Sequence, residues 1–559
     1  MATGDGRRSR RELLKRGALV GGALVPAALA SPAEAQEAGG AAAHGPFELR
    51  AFGAKGDGAD DDTAAIQRAI QACHAAGGGT VLASAGTYLS RPFELRSHVT
   101  LQLEAGATIK ASPRLEDYPV EGKDASGESE RAGLVTARNA ERVAIVGRGT
   151  LDGNAMAFHD PTRAHDSGDF DRSLTRQGEA FMPKGVLYEH GPIAHGERPG
   201  NLLRFFGCKD VLLHGVTVQN SPTWTSHYRR CENVTIEAVR IDSEASGTRV
   251  PNDDGIDLVE CDDVRILGCD IDTGDDCIAL FGSQRVVVTN CTLSTRSVAI
   301  RCGYDHTRTI RDCVFSNLVV SSANRGLGVF VRGAGDVENL LFTDITLRTH
   351  LLTGHWWGKA EPIHVSAILW APGVTKPGRI RNLTFARIRV EGEHGIVLWG
   401  TPESPIEDVT LEDVRLRLVR GPQSDAYGGN LDLRLTRDPQ HALFRHDIPA
   451  LLARHVSGLA VRGLRVAWGP DVPPFFTGAI DCEDFRDVEV ERFRGAPAHP
   501  AGPAVRLAHG SDAVVRGCAL TAPADALVEM TDVSGRTVVA DNDVRAERDG
   551  KAAGKPAGR

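Results

Sequence analysis

The chain of 559 residues contains no run of 18 apolar residues, so no membrane span is expected. It also lacks a surplus of basic charge. Its formal net charge is −9, which argues against nucleic acid as a partner. No two cysteines sit at the CxxC spacing of zinc sites, so a metal site has little support and no cofactor is expected. The eleven cysteines are an odd number, so they cannot all pair internally. Their repeated positions fit buried, stacked thiols acting as small apolar fillers. Disulfides remain the alternative for an exported protein.

What is present begins with an export signal. Ser9-Arg10-Arg11-Glu12-Leu13-Leu14-Lys15 fits a twin-arginine pattern, an apolar stretch from Gly17 to Leu29 follows, and Ala33-Glu34-Ala35 offers a cleavage site. Residues 1–35 are therefore expected to be removed on the way to the periplasm or the medium. Residues 36–46 read as a linker and 545–559 as a disordered tail.

Between them the chain repeats. The apolar leads Val211, Val234, Val264, Val287, Leu340, Leu383, Val409, Leu459, Val488 and Val514 each open a short strand. ENVTIEAV, DDVRILGC, ENLLFTDI and RNLTFARI share one grammar: a turn residue, then apolar, any, apolar. Self-similarity at 20 to 30 residues means a solenoid, and the Asn ladder of leucine-rich repeats is missing. The expected fold is all-β: a single-stranded right-handed parallel β-helix of about ten coils over residues 47–544. Asp62-Thr63 is expected to open a capping helix with Ala65, Ile66, Ala69, Ile70 and Cys73 on its inner face. Three stretches break the rhythm: 154–200, 350–378 and 415–458. Long irregular segments in a compact domain are usually functional, and 154–200 reads as a loop over one end of a binding groove.

The chemistry concentrates in PNDDGIDLVECDDVRILGCDIDTGDDC, Pro251 to Cys277. Asp254 precedes Asp275 by 21 residues and Asp276 by 22, about one coil. Neighbouring strands lie about 4.8 Å apart, so three carboxylates would crowd one patch. Strict alternation would split Asp275 from Asp276, and Gly274 is placed to relax it with a bulge. Carboxylates packed this closely drive their pKa values apart, leaving an acid beside a base. Glycoside hydrolysis requires that pairing.

These residues resemble glycoside hydrolase family 28, the polygalacturonase family. Asn252-Asp253-Asp254 stands where that family carries Asn-Thr-Asp, and Gly274-Asp275-Asp276 matches its Gly-Asp-Asp. Asn220-Ser221-Pro222-Thr223-Trp224 with His227 matches a further segment, preceded by Arg198-Pro199. Phe52 to Gly58 with Asp61-Asp62-Thr63 resembles the start of pectin-degrading β-helix proteins. The resemblance implies hydrolysis of a pectin-like, uronic-acid-containing poly- or oligosaccharide with inversion. Asp275 would be the general acid, Asp254 and Asp276 would activate water, and Asn252 and His227 would contact substrate.

Two departures stand out. The family's Gly-His-Gly is replaced by Thr295 to Arg301, without the His, and Arg-Ile-Lys is reduced to Phe330-Val331-Arg332. Arg296, Arg301 and Arg332 then become the candidate carboxylate-binding cations. In GHWWGKAEPI, residues 354 to 363, Trp356 or Trp357 would stack on a sugar and Glu361 would bind a hydroxyl. With loops at both ends of the groove, the expected action is on chain ends. Two other classes stay open. One is a β-helix polysaccharide lyase using Ca²⁺ held by the Asp clusters, with Arg296 or Arg301 as base. The other is a non-catalytic carbohydrate-binding β-helix.

Overall fold

The computed structural model describes residues 45–123, 129–166, 170–243 and 250–544. The export signal, most of the linker and the tail lie outside them. The fold is a right-handed parallel β-helix, with one strand from each coil in each of three parallel ladders. The site ladder runs through Val135–Arg138, Leu203–Phe206, Ser226–Arg229, Ile256–Val259, Ile278–Phe281, Val298–Cys302, Arg325–Val331, Glu361–Ala367 and Ile396–Trp399, and continues to Ala526–Ala540. The apolar-led ladder includes Lys209–His214, Glu232–Glu237, Asp262–Leu267 and Gln284–Thr289. The corner ladder, which feeds back into the site ladder, includes Thr217–Gln219, Arg240–Asp242, Asp270–Thr273 and Thr292–Thr295. There are more rungs than the ten apolar leads mark.

The register explains the repeated grammar. Val234 and Ile236 pair with Val264 and Ile266, and these pair with Val286 and Val288; all six are buried. The turn residue ahead of each pair is left-handed, with φ of 55° at Asn233, 58° at Asp263, 57° at Asn339 and 54° at Asn382. Asn and Asp tolerate that region better than other non-glycine residues. Two expected leads are out of phase. Val287 is 38 % exposed, because Val264 pairs with Val286. Val488 pairs with Ala513, not Val514. Runs of consecutive valines hide which of them face inward.

Helix Thr63–Ala75 buries Ala65, Ile66, Ala69, Ile70 and Cys73, as expected. Its cap differs: the Asp62 carboxylate accepts the backbone N–H groups of Lys55 and Gly56 instead of a helical one. All eleven cysteines are buried free thiols. Cys269 and Cys291 stack, the backbone N–H of one 3.4 Å from the sulfur of the other. Cys313 leaves that column and pairs in register with Leu340. The loop at 303–309 shifts its phase, so a third spacing of 22 was coincidence.

Phe315, Phe342 and Phe385 stack face to face, with centroids 4.6 and 4.9 Å apart. Rung spacing sets that distance. Phe342→Ala is expected to cost about 3–5 kcal/mol, read by chemical denaturation. A loss below about 1 kcal/mol would show that this part of the core does not pack as a continuous column.

Candidate active site

The carboxylate cluster forms where the corner ladder turns into the site ladder. Asp275 and Asp276 occupy the turn between Asp270–Thr273 and Ile278–Phe281, and Asp253 and Asp254 occupy the turn one rung earlier. Strand alternation therefore never separates the pair. Gly274 fits this turn because a Cβ there would lie 2.4 Å from the Val250 carbonyl oxygen. The Asp275 backbone N–H donates to Asp253 Oδ1 at 2.8 Å. Asp253 thus braces the turn from beneath, and burial pushes its carboxyl up to about 7.

Asp254, Asp275 and Asp276 each offer an oxygen within 4.8 Å of the others. They are 3 %, 6 % and 1 % exposed, so Asp275 is the most accessible. Its Oδ2 accepts from the Asn252 backbone N–H at 3.2 Å and from Asn252 Nδ2 at 3.4 Å. Arg198 in turn donates to Asn252 Oδ1 at 2.8 Å. Asp276 Oδ1 accepts from Ser297 Oγ and the Val298 N–H. Its Oδ2 lies 2.6 Å from Arg301 Nε, off hydrogen-bond alignment, and Arg301 Nη2 lies 3.6 Å from Asp254. Burial pushes Asp276 up to about 6, with Arg301 pulling it back. Burial and the neighbouring carboxylates raise Asp254 well above the usual range. Three carboxyls this close titrate as a set, so a proton is retained near neutrality. The same oxygens are the described group best placed to hold a divalent cation.

One residue escaped the sequence reading. Asp257 is fully buried, and neither carboxylate oxygen has a hydrogen-bond partner among the described residues. Its register neighbours are His227 on one side and Ala279 then Arg301 on the other. The signal was available: Asp257, Ala279 and Arg301 are spaced by 22 residues. His227 is buried beside it, bonded to Asn201 and stacked on Trp224 at 5.4 Å. Burial pulls its pKa down to about 3, so the ring is neutral. Half-buried Trp224 and Phe281 stack at 6.0 Å, and Arg301 lies over Phe281 at 4.7 Å and Tyr304 at 5.4 Å. These rings, also missed, are apolar faces beside the carboxylates on which a sugar ring can rest.

Other expectations fail because of a strap. Segment 432–437 starts beside Gly358, whose N–H donates to Asp432. It crosses the outer face of strand Glu361–Ala367 and ends against Leu369 to Ala371, which accept from Arg437. On the way the Leu435 N–H donates to the Tyr304 hydroxyl. Arg332 lies beneath the strap, fully buried, bonded to Ser366 and the Leu433 carbonyl. It does not reach the groove. Glu361 is fully buried too, bound by Arg325 at 2.9 Å, so it binds a cation and not a hydroxyl. Trp356 is buried and donates to the His190 carbonyl, with Arg296 over its ring at 5.8 Å. Trp357 stays half-buried under Arg434, 4.8 Å away.

The three arrhythmic stretches meet in one satellite core: Phe181 and Met182, Leu351 and Ala360, Tyr427 and Leu443. Segment 154–200 is thus packed along a flank and is no separate cover over one end. The 350–378 stretch is two insertions, because strand Glu361–Ala367 divides it.

Two family descriptions match: glycosyl hydrolases family 28 over residues 177–427, and rhamnogalacturonase A/epimerase, pectate lyase-like, over residues 47–159. A probable polygalacturonase of Vitis vinifera is 26 % identical over 66 % of this chain and 73 % of its own. An exo-poly-alpha-D-galacturonosidase of Dickeya chrysanthemi is 27 % identical over 41 % of each chain. Among solved structures, the family 28 exopolygalacturonase of Yersinia enterocolitica superposes with a TM-score of 0.56 at 19 % identity, covering 90 % of this chain and 79 % of its own. The exopolygalacturonase of Thermotoga maritima gives 0.51 at 22 % identity, covering 66 % and 86 %. At these identities the superpositions speak for the fold.

The strap hangs on Asp432, which takes Arg434 at 2.8 Å and the Gly358 N–H at 3.0 Å, with Arg325 at 3.9 Å. Burial pushes its carboxyl up, and the guanidiniums outweigh that and hold it well below the usual range. Asp432→Ala leaves two buried cations uncompensated and is expected to cost about 3–5 kcal/mol. Amide exchange over 432–437 should rise with it. Unchanged exchange there would show that the strap is held by other contacts.

Proposed function

The chain belongs to glycosyl hydrolase family 28 and is a glycoside hydrolase; from that premise we propose an exo-acting, inverting hydrolase of a pectin-like, uronic-acid-containing polysaccharide. One observation carries the reading: three buried carboxylates around one guanidinium, beside a groove crossed by a strap. Asp275, the most exposed of the three, donates the proton to the glycosidic oxygen. Asp254 and Asp276 accept a proton from the attacking water, with Arg301 favouring the ionised form of Asp276.

The cluster is tighter than the about 6.5–9.5 Å usual for inverting enzymes. Asp276 Oδ2 is already engaged by Arg301, which suits a base better than a nucleophile. Substrate carboxylates meet Arg301 or Arg296, and sugar faces meet Trp224, Phe281 or Trp357. Asn252 orients Asp275, and neutral His227 is placed to bond a hydroxyl through its unpartnered Nε2. The strap stops a continuous polymer and leaves room for a terminus. The dibasic, apolar and small-residue pattern of residues 1–35 supports export by the twin-arginine route to the periplasm or beyond.

Asp275→Asn should fold normally and lose about 10²–10⁴-fold in kcat; a folded variant keeping a tenth of the activity would remove Asp275 from the role. Digestion of polygalacturonate should release reducing ends with little fall in viscosity. Proton NMR should show the first product with the anomeric configuration opposite to the linkage, and EDTA should change nothing. A rapid viscosity drop would mean mid-chain cleavage. An unsaturated product restored by Ca²⁺ would make the protein a lyase, and a retained anomer would make Asp254 or Asp276 a nucleophile.

A further inference from the structure

We propose that the corner ladder carries a second, non-catalytic site that holds a polyuronate chain along a column of arginines. Arg389 pairs in register with Arg415, Arg415 with Arg465, and Arg465 with Arg494. All four are exposed. Arg389, Arg415 and Arg465 have no ion-pair partner among the described residues. The column is bounded by Thr346 before Arg389 and Ala519 after Arg494.

The fold does not require this. Like charges directly opposite in neighbouring strands destabilise a sheet, and here the penalty recurs at every step. Elsewhere the protein neutralises such positions: Arg387 holds Asp344, Arg285 holds Asp263 and Arg516 holds Glu491. Beside the column, Arg348 and Arg417 already engage Glu391. Asp413 is the carboxylate left nearby, two residues before Arg415. A local surplus of cations on a chain of net charge −9 calls for an anion from outside.

The column selects the kind of anion. Its cations repeat at the strand spacing, about 4.8 Å, so four of them span about 14 Å in a line. A guanidinium grips a carboxylate with two parallel hydrogen bonds. A linear polymer with one carboxylate per sugar can meet several arginines at once, and each contact makes the next intramolecular. Clefts lined by Leu347, Val390 and Leu416 on one side and by Ile345 and Gly463 on the other flank the column. They give sugar rings apolar surface. The column lies on a different face from the carboxylate cluster and in later coils. Its role is to keep polymer, and therefore chain ends, close to the strapped groove.

This rests on the uronate reading of the active site, and the test separates the two. The variant is Arg389→Gln, Arg415→Gln, Arg465→Gln, three exposed changes whose folding is checked by thermal unfolding. Binding is read by affinity electrophoresis in polygalacturonate gels, with Asp275→Asn in both proteins so that nothing is cleaved. Retention should weaken roughly tenfold and more steeply at low salt. In active enzyme, KM on polymer should rise by a like factor, with kcat and the kinetics on a dimer unchanged. If the wild type hydrolyses polyuronate and the triple variant matches it in retention and KM, the column is overturned and the active-site reading stands. If no uronate is hydrolysed yet retention depends on the three arginines, the column stands and the active-site reading falls. Equal, arginine-dependent retention of duplex DNA or anionic vesicles would overturn the polyuronate assignment.

Discussion

Successive coils meet at the parallel-strand distance, about 4.8 Å, and that distance decides what each position can be. Inward positions must suit the residue above and below, hence valine on valine and phenylalanine on phenylalanine. Outward positions inherit the same alignment without the same filter, so chemistry is stacked wherever the chain puts it. Thus Asp257 comes next to His227, and Arg389 next to Arg415. The turns are the one freedom left. Insertions between the corner ladder and the site ladder lengthen a turn without disturbing any rung. Segments 154–200, 350–360 and 419–450 all enter at that corner, so they end up on one flank and can pack on each other.

The same geometry explains which parts of the site were legible in the sequence. A spacing of 21 to 22 residues is one coil, and it brings Asp254 against Asp275 and Asp276. The helix face was legible because Ala65, Ile66, Ala69, Ile70 and Cys73 obey a local period. Arg332 and Glu361 looked equally good as groove residues, because a local pattern shows only that a side chain points outward. What covers it comes from Leu433 and Asp432, about a hundred and seventy residues downstream of the catalytic turn in the case of Leu433. No periodicity reports that contact.

Phase was the other loss. Val286-Val287-Val288 satisfies either face of a strand, and only pairing with Val264 decides it. Cys313 shows the reverse error. Its spacing matched Cys291, but the loop before Ile310 absorbed residues and moved it to another column. Spacing therefore places residues reliably only where no turn between them has changed length. The Asp254 to Asp276 interval meets that condition. The stretch from Arg301 to Arg332 does not, and the departures from the family pattern fall there.

The two buried charge networks are built to opposite ends. Beneath the strap the signs balance: Arg325, Arg434 and Lys359 face Glu361 and Asp432, and each carboxylate is held by a guanidinium. Breaking such a set costs several kcal/mol, so the balance makes the strap a fixed wall. Around Arg301 the signs do not balance. Asp254, Asp257, Asp275 and Asp276 surround one cation, and burial resists charge on each. An unbalanced set relieves itself by keeping protons, which moves pKa values toward neutrality. A second cation at this spot would strip those protons and remove the acid. A missing cation would protonate the base. One arginine among the carboxylates is the composition that leaves both forms present together, and the family's histidine, titratable near neutrality, would make that ratio depend on pH. Arg301, charged at every working pH, fixes it.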